Sequence, residues 1–381
     1  MAQALKRDFA LEIHFARWEF RARYHMTASD AESLTLGELL AHASEEDRAA
    51  FHKARLGYSE TFGAPDLRAA IAGTYETAAA GDILCFAGAE EGLYAAMRVL
   101  LGPDDHAVVV TPNYQSAETL PVSTCAVTGV PLDAEDNWSL DIDRVAAALR
   151  PETRLVSVNF PNNPTGKILE RDRFDALIAL CRPRGIWLFS DEVFRGLDRD
   201  EARRLPQAAD LYERALSLGV LSKAYGLPGL RLGWIACKDR ALLERLERYK
   251  HFLSICNPVP SERLAMIALK ARARILKRNR DLANANVATL NAFFAEFPEL
   301  FEWSTPDGGC IGFPRYLGAD GVESFTRRLV EEAGVLLAPA SIYRSDLGET
   351  PRDRFRIGYG RADMDQGLEA MRGWLLANHL K

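Results

Sequence analysis

The sequence predicts an α/β protein with a large domain built on a mostly parallel sheet and a smaller α+β domain. Short β-rich runs alternate with helical patterns between Asp82 and Ala236, which is typical of parallel sheets. Helical patterns then occupy residues 239–254 and 261–296, and an α+β segment follows them. The length of 381 residues also exceeds that of an ordinary single domain.

The sheet of the large domain is predicted from six apolar runs. They are ILCF, HAVVV, RLVSVNF, GIWLFSD, SLGVLS and LRLGWIAC, in chain order. The helical patterns between them include EEGLYAAMRVLL, LDIDRVAAALR and ERDRFDALIALC. Because ligands of parallel sheets bind at the carboxyl ends of the strands, we expect the functional site at that edge.

The predicted large domain covers residues 45–275, and the small domain combines residues 1–44 with 276–381. The helical pattern at 261–296 is long enough to bridge the two. Strand-like GGCIGFP, VLLAP and RFRIGYG flank helical patterns near 321–334 and 363–379. The first 44 residues are predicted to form a helical arm that packs on the small domain.

Composition argues against several classes of function. The net charge of −6 gives no basic face for nucleic acid or anionic lipid, and no segment resembles a signal peptide or a membrane span. The six cysteines are scattered without C-x-x-C, so we expect reduced thiols and a cytoplasmic location. The seven histidines lack metal-binding spacing and G-x-S-x-G is absent, so neither a metal site nor a serine hydrolase is predicted.

Two motifs place polar side chains after neighbouring predicted strands. The segment Asn159–Gly166 (NFPNNPTG) has two prolines that fix an irregular backbone, which can present the amide of Asn163 to a cleft. The segment Ser190–Phe194 (SDEVF) ends the next strand, and Asp191 there requires a cationic partner because an isolated buried carboxylate is unfavourable.

Two further motifs carry cations. In Leu221–Trp234 (LSKAYGLPGLRLGW), Lys223 follows a strand and Arg231 lies among glycines that allow a backbone to approach a ligand. In Arg354–Tyr359 (RFRIGY), Arg356 alternates with apolar residues, and its planar guanidinium suits a carboxylate. Singly, these four motifs also describe a turn, a strand end, a solvated lysine and an ion-paired arginine. Their order and spacing together indicate a site.

In this order, the motifs resemble those of the class I/II aminotransferase superfamily, which are pyridoxal 5′-phosphate (PLP) enzymes of fold type I. The resemblance extends from about Tyr58 to Arg361. It implies that Lys223 holds PLP as a Schiff base and moves protons, that Asp191 pairs with the pyridine nitrogen, and that Asn163 hydrogen-bonds the phenolic oxygen. A lysine in a partly desolvated pocket has a lowered pKa, which favours the neutral, nucleophilic amine.

The resemblance also implies binding sites for the two anionic groups. Arg231 is expected to bind the PLP phosphate, and Arg356 the α-carboxylate of the substrate. The segment FAGAEEG is similar to the phosphate loop of the family, in which backbone N–H groups at a helix start receive the anion. The expected backbone donors are those of Gly88, Ala89 and Glu90.

Two tyrosines match the family and two positions depart from it. Tyr114 matches the aromatic residue that stacks on the PLP ring, although a plain core tyrosine is the alternative. Tyr58 matches the tyrosine that reaches the phosphate of a neighbouring subunit, which implies a homodimer. Phe194 replaces a tyrosine that donates to the phenolic oxygen, and Val220 replaces a polar residue, so phosphate binding is expected to depend on Ser222.

The amino-terminal arm resembles that of a smaller group, the capreomycidine synthases and PLP-dependent arginine oxidases, which act on arginine-derived substrates. The similarity lies in Phe15–Phe20 (FARWEF) and in Ser29 and Asp30. It implies that Glu19 and Asp30 contact the cationic end of a substrate. The alternative is an amphipathic arm whose carboxylates are solvated.

Three functions are compatible with these motifs. The first is an aminotransferase that exchanges an amino group between an L-amino acid and a 2-oxo acid, with neither nucleic acid nor membrane as a partner. The second is elimination, replacement, cyclisation or oxidation of an arginine-like amino acid. The third is a binding module with the PLP fold, which would have no need of the proton-shuttling amine of Lys223.

Overall fold

The structure is a computed structural model that describes Leu5 and residues 7–378. Two predicted elements extend beyond the described residues. The parts outside are residues 1–4 and 6 of the arm and residue 379 of the last helix. The strands are β1 (Tyr24–His25), β2 (Ile83–Phe86), β3 (His106–Thr111), β4 (Ala126–Pro131), β5 (Thr153–Asn159), β6 (Trp187–Asp191), β7 (Ala215–Val220), β8 (Gly233–Ala236), β9 (Phe301–Glu302), β10 (Ile311–Gly312), β11 (Arg315–Tyr316), β12 (Val335–Leu336), β13 (Ala338–Pro339) and β14 (Phe355–Gly358).

The helices connect and cover these strands. They are α1 (Ala10–Trp18), α2 (Leu36–Ala41), α3 (Glu45–His52), α4 (Pro65–Ala72), α5 (Ala89–Leu100), α6 (Gln115–Val122), α7 (Ile142–Ala148), α8 (Arg171–Cys181), α9 (Ala208–Leu211), α10 (Arg240–Lys250), α11 (Val259–Lys270), α12 (Arg272–Ala295), α13 (Val322–Ala333) and α14 (Met364–Asn378). Short 3-10 turns occur at Ala80–Asp82, Arg182–Arg184, Glu201–Arg203, Pro228–Leu230 and Ala340–Tyr343.

The central sheet has seven strands in the order β2-β8-β7-β6-β5-β3-β4. Only β8 runs antiparallel to its neighbours, so the predicted α/β fold with a mostly parallel sheet is confirmed. Strand β4 is not among the strands predicted from the sequence. This edge strand is partly exposed and contains Gly129 and Pro131, so it lacks the continuous apolar pattern of the inner strands.

The sheet is buried because helices pack on both faces. All residues of β2, β3 and β6 are buried, which explains why these strands show continuous apolar runs instead of alternation. Helix α5 contributes the buried side chains of Leu93, Ala96, Met97 and Leu100, which follow the helical repeat and pack toward β7 and β8. The sheet is therefore a rigid platform whose carboxyl edge opens beyond these helices.

The arm is tied to the carboxyl-terminal part of the chain. Strand β1 pairs in parallel with β12, with Tyr24 opposite Val335, while β10, β14 and β13 form a second small sheet. The predicted helix over 261–296 is wrong in one respect, because it is two helices that meet at Ala271 (φ −89°, ψ 7°). No glycine or proline marks this break. The domain boundaries at residues 45 and 275 stay a prediction.

Three further features bear on the class of protein. No helix among the described residues combines the length and apolar character needed to cross a bilayer. All six cysteines are free thiols. Across Leu5 and residues 7–378, no group of three or more histidine, cysteine, aspartate or glutamate side chains is arranged to hold a metal ion.

Lys250 anchors the end of strand β2. Its side chain is fully buried, and its Nζ donates to the carbonyl oxygens of Thr61 and Cys85, both at 2.8 Å, and to Oδ1 of Asn257 at 3.0 Å. Nδ2 of Asn257 donates in turn to the carbonyl oxygen of Phe86 at 2.8 Å. This network fixes the strand end that leads into the start of α5.

We expect Lys250→Met to lower the free energy of unfolding by about 3 kcal/mol, because it leaves buried oxygens without donors that each contribute about 1–3 kcal/mol. Urea denaturation measures the change. The control is Lys238→Met, because Lys238 is exposed and its one hydrogen bond within the described residues goes to Oγ1 of Thr77. This substitution should change the free energy of unfolding by less than about 0.5 kcal/mol. Equal stability of the two variants would contradict the structural role of Lys250.

Candidate active site

Three predicted site residues follow three neighbouring strands. The loop after β5 carries Asn163, β6 ends at Asp191, and Lys223 comes shortly after β7. The parallel register of these strands places their carboxyl ends at one edge of the sheet. The three side chains line the same cavity, which has a volume of about 360 Å³.

Lys223 is held by a residue of the arm. Its Nζ donates to Oγ of Ser29 at 2.8 Å, and its carbonyl oxygen accepts from the N–H of Ala31 at 3.1 Å. Burial lowers the pKa of Lys223, the charge of Arg356 acts in the same direction, and the carboxylate of Asp30 opposes both. The site therefore favours the neutral amine, which is the nucleophilic form.

Two other buried lysines differ from Lys223. Lys167 donates to the carbonyl oxygen of Thr305 at 2.8 Å, and Lys250 is held by the carbonyl network described above. Neither residue lines the cavity. Of these three lysines, Lys223 is the one whose amine faces a space that a ligand can fill.

Asp191 is a buried carboxylate at the sheet edge. Burial raises its pKa to about 7, while the N–H of Val193, which donates to Oδ1 at 3.1 Å, and the charge of Lys223 oppose the rise. The raised pKa means that the charged form is not fully stabilised by the protein alone. A cationic group in the cavity would supply the missing stabilisation.

Asn163 connects the cavity to Arg356. Its Oδ1 accepts from the hydroxyl of Tyr343 at 3.0 Å and from Nη1 of Arg356 at 3.4 Å. Because the amide oxygen accepts these bonds, the amide nitrogen is the Asn163 atom that can donate to a ligand. Tyr343 was not identified in the sequence, because its turn at Ala340–Tyr343 carries no recognisable motif.

Arg356 is fully buried in β14 and lies directly behind Asn163. Its Nε donates to Oγ1 of Thr27 at 3.1 Å, its Nη2 to the carbonyl oxygen of Thr27 at 2.7 Å, and its Nη1 to the hydroxyl of Tyr343 at 2.7 Å. All of these acceptors are neutral. Among the described residues, no carboxylate lies within ion-pairing distance of the guanidinium. A buried cation without a counter-ion favours the approach of an anion.

A candidate anion site lies at the amino terminus of α5. Gly88 precedes the helix with φ 90°, and a Cβ at this position would lie 2.5 Å from Nη2 of Arg231. Oγ of Ser222 is buried and has no hydrogen-bond partner among the described residues. The N–H of Gly88 donates to the carbonyl oxygen of Phe86 at 2.8 Å, so it is not available as the predicted phosphate donor in this structure. The N–H groups that follow it at the helix start, the guanidinium and this hydroxyl are the groups of a cradle that could hold a phosphate. Ala89 and Glu90, the other expected donors, begin the same helix and line the cavity.

Two aromatic rings form walls of the cavity. Tyr114 lines it and packs on Phe9 of the arm, with ring centroids 5.2 Å apart. Phe194 also lines it and is 1% exposed. Rings in these positions can enclose a planar ligand, and at Phe194 no hydroxyl is available to it.

Five predicted residues are not part of the cavity wall: Arg356 and Gly88, described above, and Tyr58, Glu19 and Asp30. Tyr58 is 90% exposed. The carboxylate of Glu19 lies 3.7 Å from Nε2 of His25, and Asp30 forms a salt bridge of 2.8 Å with Arg361. Asp30 is therefore paired outside the cavity wall. Glu19 lies beside a histidine whose pKa is lowered to about 4 by burial, so His25 supplies no charge to it near neutral pH.

One residue of the cavity wall comes from the arm and was not predicted from the sequence. Glu12 of α1 lines the cavity. The arm reaches this position because Oε1 of Gln115 accepts from the N–H of Ala10 at 2.9 Å and Nε2 donates to the carbonyl oxygen of Asp8 at 2.7 Å. The sequence separation of about a hundred residues leaves no local signal for such a contact.

The cavity fits PLP. The cradle at α5 suits its phosphate, Asp191 suits a protonated ring nitrogen, and Lys223 suits its carbonyl carbon. When bound, PLP supplies that carbonyl for the substrate amine and a ring that withdraws electrons from the substrate Cα. The fold and the site thus define a PLP-dependent enzyme of fold type I.

The chain belongs to the aminotransferase class I and II family, whose model matches residues 29–371. It is 31% identical to a capreomycidine synthase from Streptomyces vinaceus over 362 residues, which cover 92% of this chain and 90% of that protein. It is 30% identical to the arginine–pyruvate transaminase AruH from Pseudomonas aeruginosa over 286 residues, 73% of this chain and 70% of the relative.

Solved structures agree with this assignment. A PLP-dependent aminotransferase from Streptococcus suis has a TM-score of 0.90 at 27% identity, covering 97% of this chain and 98% of that one. The PLP-dependent cyclase OrfR has a TM-score of 0.89 at 25% identity, covering 98% of each chain. The family therefore includes relatives named for different reactions, and PLP is the cofactor common to these two structures.

We expect Lys223→Ala to abolish the covalent attachment of PLP, because Lys167 and Lys250 are held away from the cavity. Borohydride reduction of the wild-type holoenzyme and peptide mapping should find the pyridoxyl group on Lys223. The control is Lys167→Ala, which should keep the label on Lys223. A label on Lys167 or Lys250 would contradict the assignment.

Proposed function

We propose that the protein is an aminotransferase that moves the amino group of an L-amino acid to a 2-oxo acid. The observation that carries the proposal is the fully buried guanidinium of Arg356. Among the described residues, all of its hydrogen-bond partners are neutral. An α-carboxylate, present in amino acids and 2-oxo acids alike, is the counter-ion that this position lacks. Its planar shape matches the guanidinium.

The proposed proton transfers belong to Lys223. Its amine is held at 2.8 Å by Ser29 and has a lowered pKa, so it can accept a proton from the substrate Cα and return it elsewhere. The carboxylate of Asp191 would face the ring nitrogen of PLP. The amide nitrogen of Asn163 would donate to the phenolic oxygen of the same ring. A non-catalytic module would not require this amine.

A second candidate is a reaction on an arginine-like amino acid that ends in cyclisation, elimination, replacement or oxidation. It is supported by the similarity to a capreomycidine synthase over 92% of the chain and to the cyclase OrfR. The carboxylate of Glu12 in the cavity wall also favours a cationic substrate. The product, and not the binding site, distinguishes the two candidates.

A panel of L-amino acids added to the holoenzyme tests the proposal. We expect at least one to convert the cofactor to its amine form, and a 2-oxo acid to restore the original spectrum. Arg356→Gln should weaken amino-acid binding by about 30-fold or more, since it removes a buried charged contact. Arg354→Gln, which removes the same charge in the same motif, should change binding much less. A product that forms without any amine form of the cofactor would favour the second candidate.

We also propose a homodimer and a cytoplasmic location. Tyr58, Leu56 and Phe252 are 90%, 86% and 89% exposed, and Oγ of Ser59 donates to the carbonyl oxygen of Asn257 at 2.9 Å, which joins their two segments. Apolar side chains exposed this far favour an interface with a second copy of the chain. The six free thiols favour a reducing compartment.

Mixing Tyr58→Phe subunits with Lys223→Ala subunits tests the dimer. If Tyr58 serves the site of the partner, one hybrid site recovers both groups, and random pairing restores about a quarter of the wild-type sites. The activity of the mixture should exceed the sum of the two separate variants. No gain on mixing, or a fully active monomer at all concentrations, would contradict the proposal.

A further inference from the structure

We infer that Tyr343 is a positioning residue, whose hydroxyl fixes the amide of Asn163 as a donor to the bound cofactor. The inference rests on the place of Asn163 at the phenolic oxygen of PLP, which belongs to the proposed function. Tyr343 itself is not part of the cavity wall. Its influence on a ligand therefore passes through its two hydrogen-bond partners, Asn163 and Arg356.

The small sheet brings Tyr343 to this place. Strand β13 pairs with β14 in antiparallel register, with Ala338 opposite Arg356. The 3-10 turn Ala340–Tyr343 follows β13 directly, and Tyr343 at its end is buried. The pairing of the two strands thus fixes the tyrosine relative to the guanidinium of Arg356.

The hydroxyl of Tyr343 has one acceptor for its proton. Nη1 of Arg356 donates to this hydroxyl at 2.7 Å, and the hydroxyl donates to Oδ1 of Asn163 at 3.0 Å. Because a guanidinium carries donors only, the hydroxyl proton has to point to Asn163. Burial raises the pKa of Tyr343, against the opposing charge of Arg356, so the hydroxyl keeps its proton at neutral pH.

The amide of Asn163 is thereby held in one orientation. Its Oδ1 accepts from Tyr343 and, at 3.4 Å, from Nη1 of Arg356, while its backbone N–H donates to Oδ1 of Asn159 at 2.7 Å. Among the described residues, Nδ2 of Asn163 makes no hydrogen bond, and the residue lines the cavity. A chain of hydrogen bonds that starts at a cation also polarises each donor along it. Nδ2 is therefore a fixed and strengthened donor for a ligand oxygen.

Phe194 increases the importance of this donor. It lines the same cavity and carries no hydroxyl, so of the two positions expected at the phenolic oxygen only Asn163 can donate. A hydrogen bond to an ionised oxygen favours the ionised form and lowers its proton affinity. Since Tyr343 holds the amide that makes this bond, loss of its hydroxyl should raise the proton affinity of the bound cofactor.

Support of the main chain does not account for the hydroxyl of Tyr343. The hydroxyl of Tyr212, which is also buried, donates to the carbonyl oxygen of Ile186 at 2.7 Å and so braces the chain before β6. The hydroxyl of Tyr343 contacts two side chains of the site instead. The ring of Tyr343 packs edge-on against Phe313 with centroids 5.5 Å apart, and a phenylalanine would keep this packing.

The test records the visible absorbance of the holoenzyme against pH, without substrate, and the midpoint of its change gives the pKa of the bound cofactor. We expect Tyr343→Phe to raise this midpoint by about 0.5 pH unit or more, because the donor to the phenolic oxygen is no longer held. Asn163→Ala, which removes the donor itself, should raise it further. The double variant should have the midpoint of Asn163→Ala, since the hydroxyl acts through the amide.

Tyr212→Phe is the matched control. It removes a buried hydroxyl at the start of β6, the end opposite Asp191, and it should keep the wild-type midpoint. Tyr343→Phe should bind PLP with the wild-type stoichiometry, which shows that the variant folds. The other titratable groups of the cavity wall are the same in all four proteins, so a shift reports the changed link: Glu12, Glu90, Tyr114, Asp191, Lys223 and Arg231.

Three results would overturn the role of Tyr343. They are an unchanged midpoint in Tyr343→Phe, a further rise when this change is added to Asn163→Ala, and loss of PLP binding in Tyr343→Phe, which would mark the hydroxyl as structural. If Asn163→Ala also leaves the midpoint unchanged, the proposed place of Asn163 is overturned as well. Amino transfer itself is judged by the amino-acid panel, so its failure is distinguishable from a failure here.

Discussion

The buried carboxylate of Asp191 at the end of β6 is the constraint around which the site is organised. The protein removes this group from water and gives it one backbone N–H, so burial raises its pKa to about 7. The register of the parallel strands places Asn163 and Lys223 beside it. A rigid sheet edge that holds a partly unsatisfied acid is suited to a cationic ring, and the cavity provides the space for it.

Arg356 is a second buried charged group without a partner of opposite charge, and it is a cation where Asp191 is an acid. It is fully buried and has neutral acceptors from Thr27 and Tyr343 among its contacts. The carboxylate of Asp191 lines the cavity, and the guanidinium of Arg356 lies outside the cavity wall and contacts Asn163, which lines it. Each charged group lacks a partner of opposite charge among these contacts. The folded protein tolerates these groups because the surrounding sheet and helices are buried and well packed. The fold thus holds these charged groups in position before a ligand binds. The arm contributes Ser29, which contacts Lys223, and Glu12, which lines the cavity.

Much of the fold and of the cofactor cradle could be predicted from the sequence, because local patterns carry them. Continuous apolar runs mark the inner strands, and the residues after β5, β6 and β7 follow from parallel topology. Ser29 and Lys223, which are in contact, are separated by 194 positions in the sequence, and Thr27 and Arg356 by 329 positions. No local sequence pattern encodes contacts over such separations. Strand β4 was missed because it is partly exposed and lacks a continuous apolar run, and the break at Ala271 was missed because no glycine or proline marks it. The sequence left the reaction type open.

We propose that the protonated ring nitrogen of PLP is the cationic partner of Asp191. Nitrogen-15 NMR of the holoenzyme reconstituted with ring-labelled PLP measures the protonation of that nitrogen directly. We expect a protonated nitrogen that stays protonated above neutral pH in the wild type and loses its proton in Asp191→Asn. An unprotonated nitrogen in the wild type, or one whose protonation is the same in both proteins, would contradict the role of Asp191.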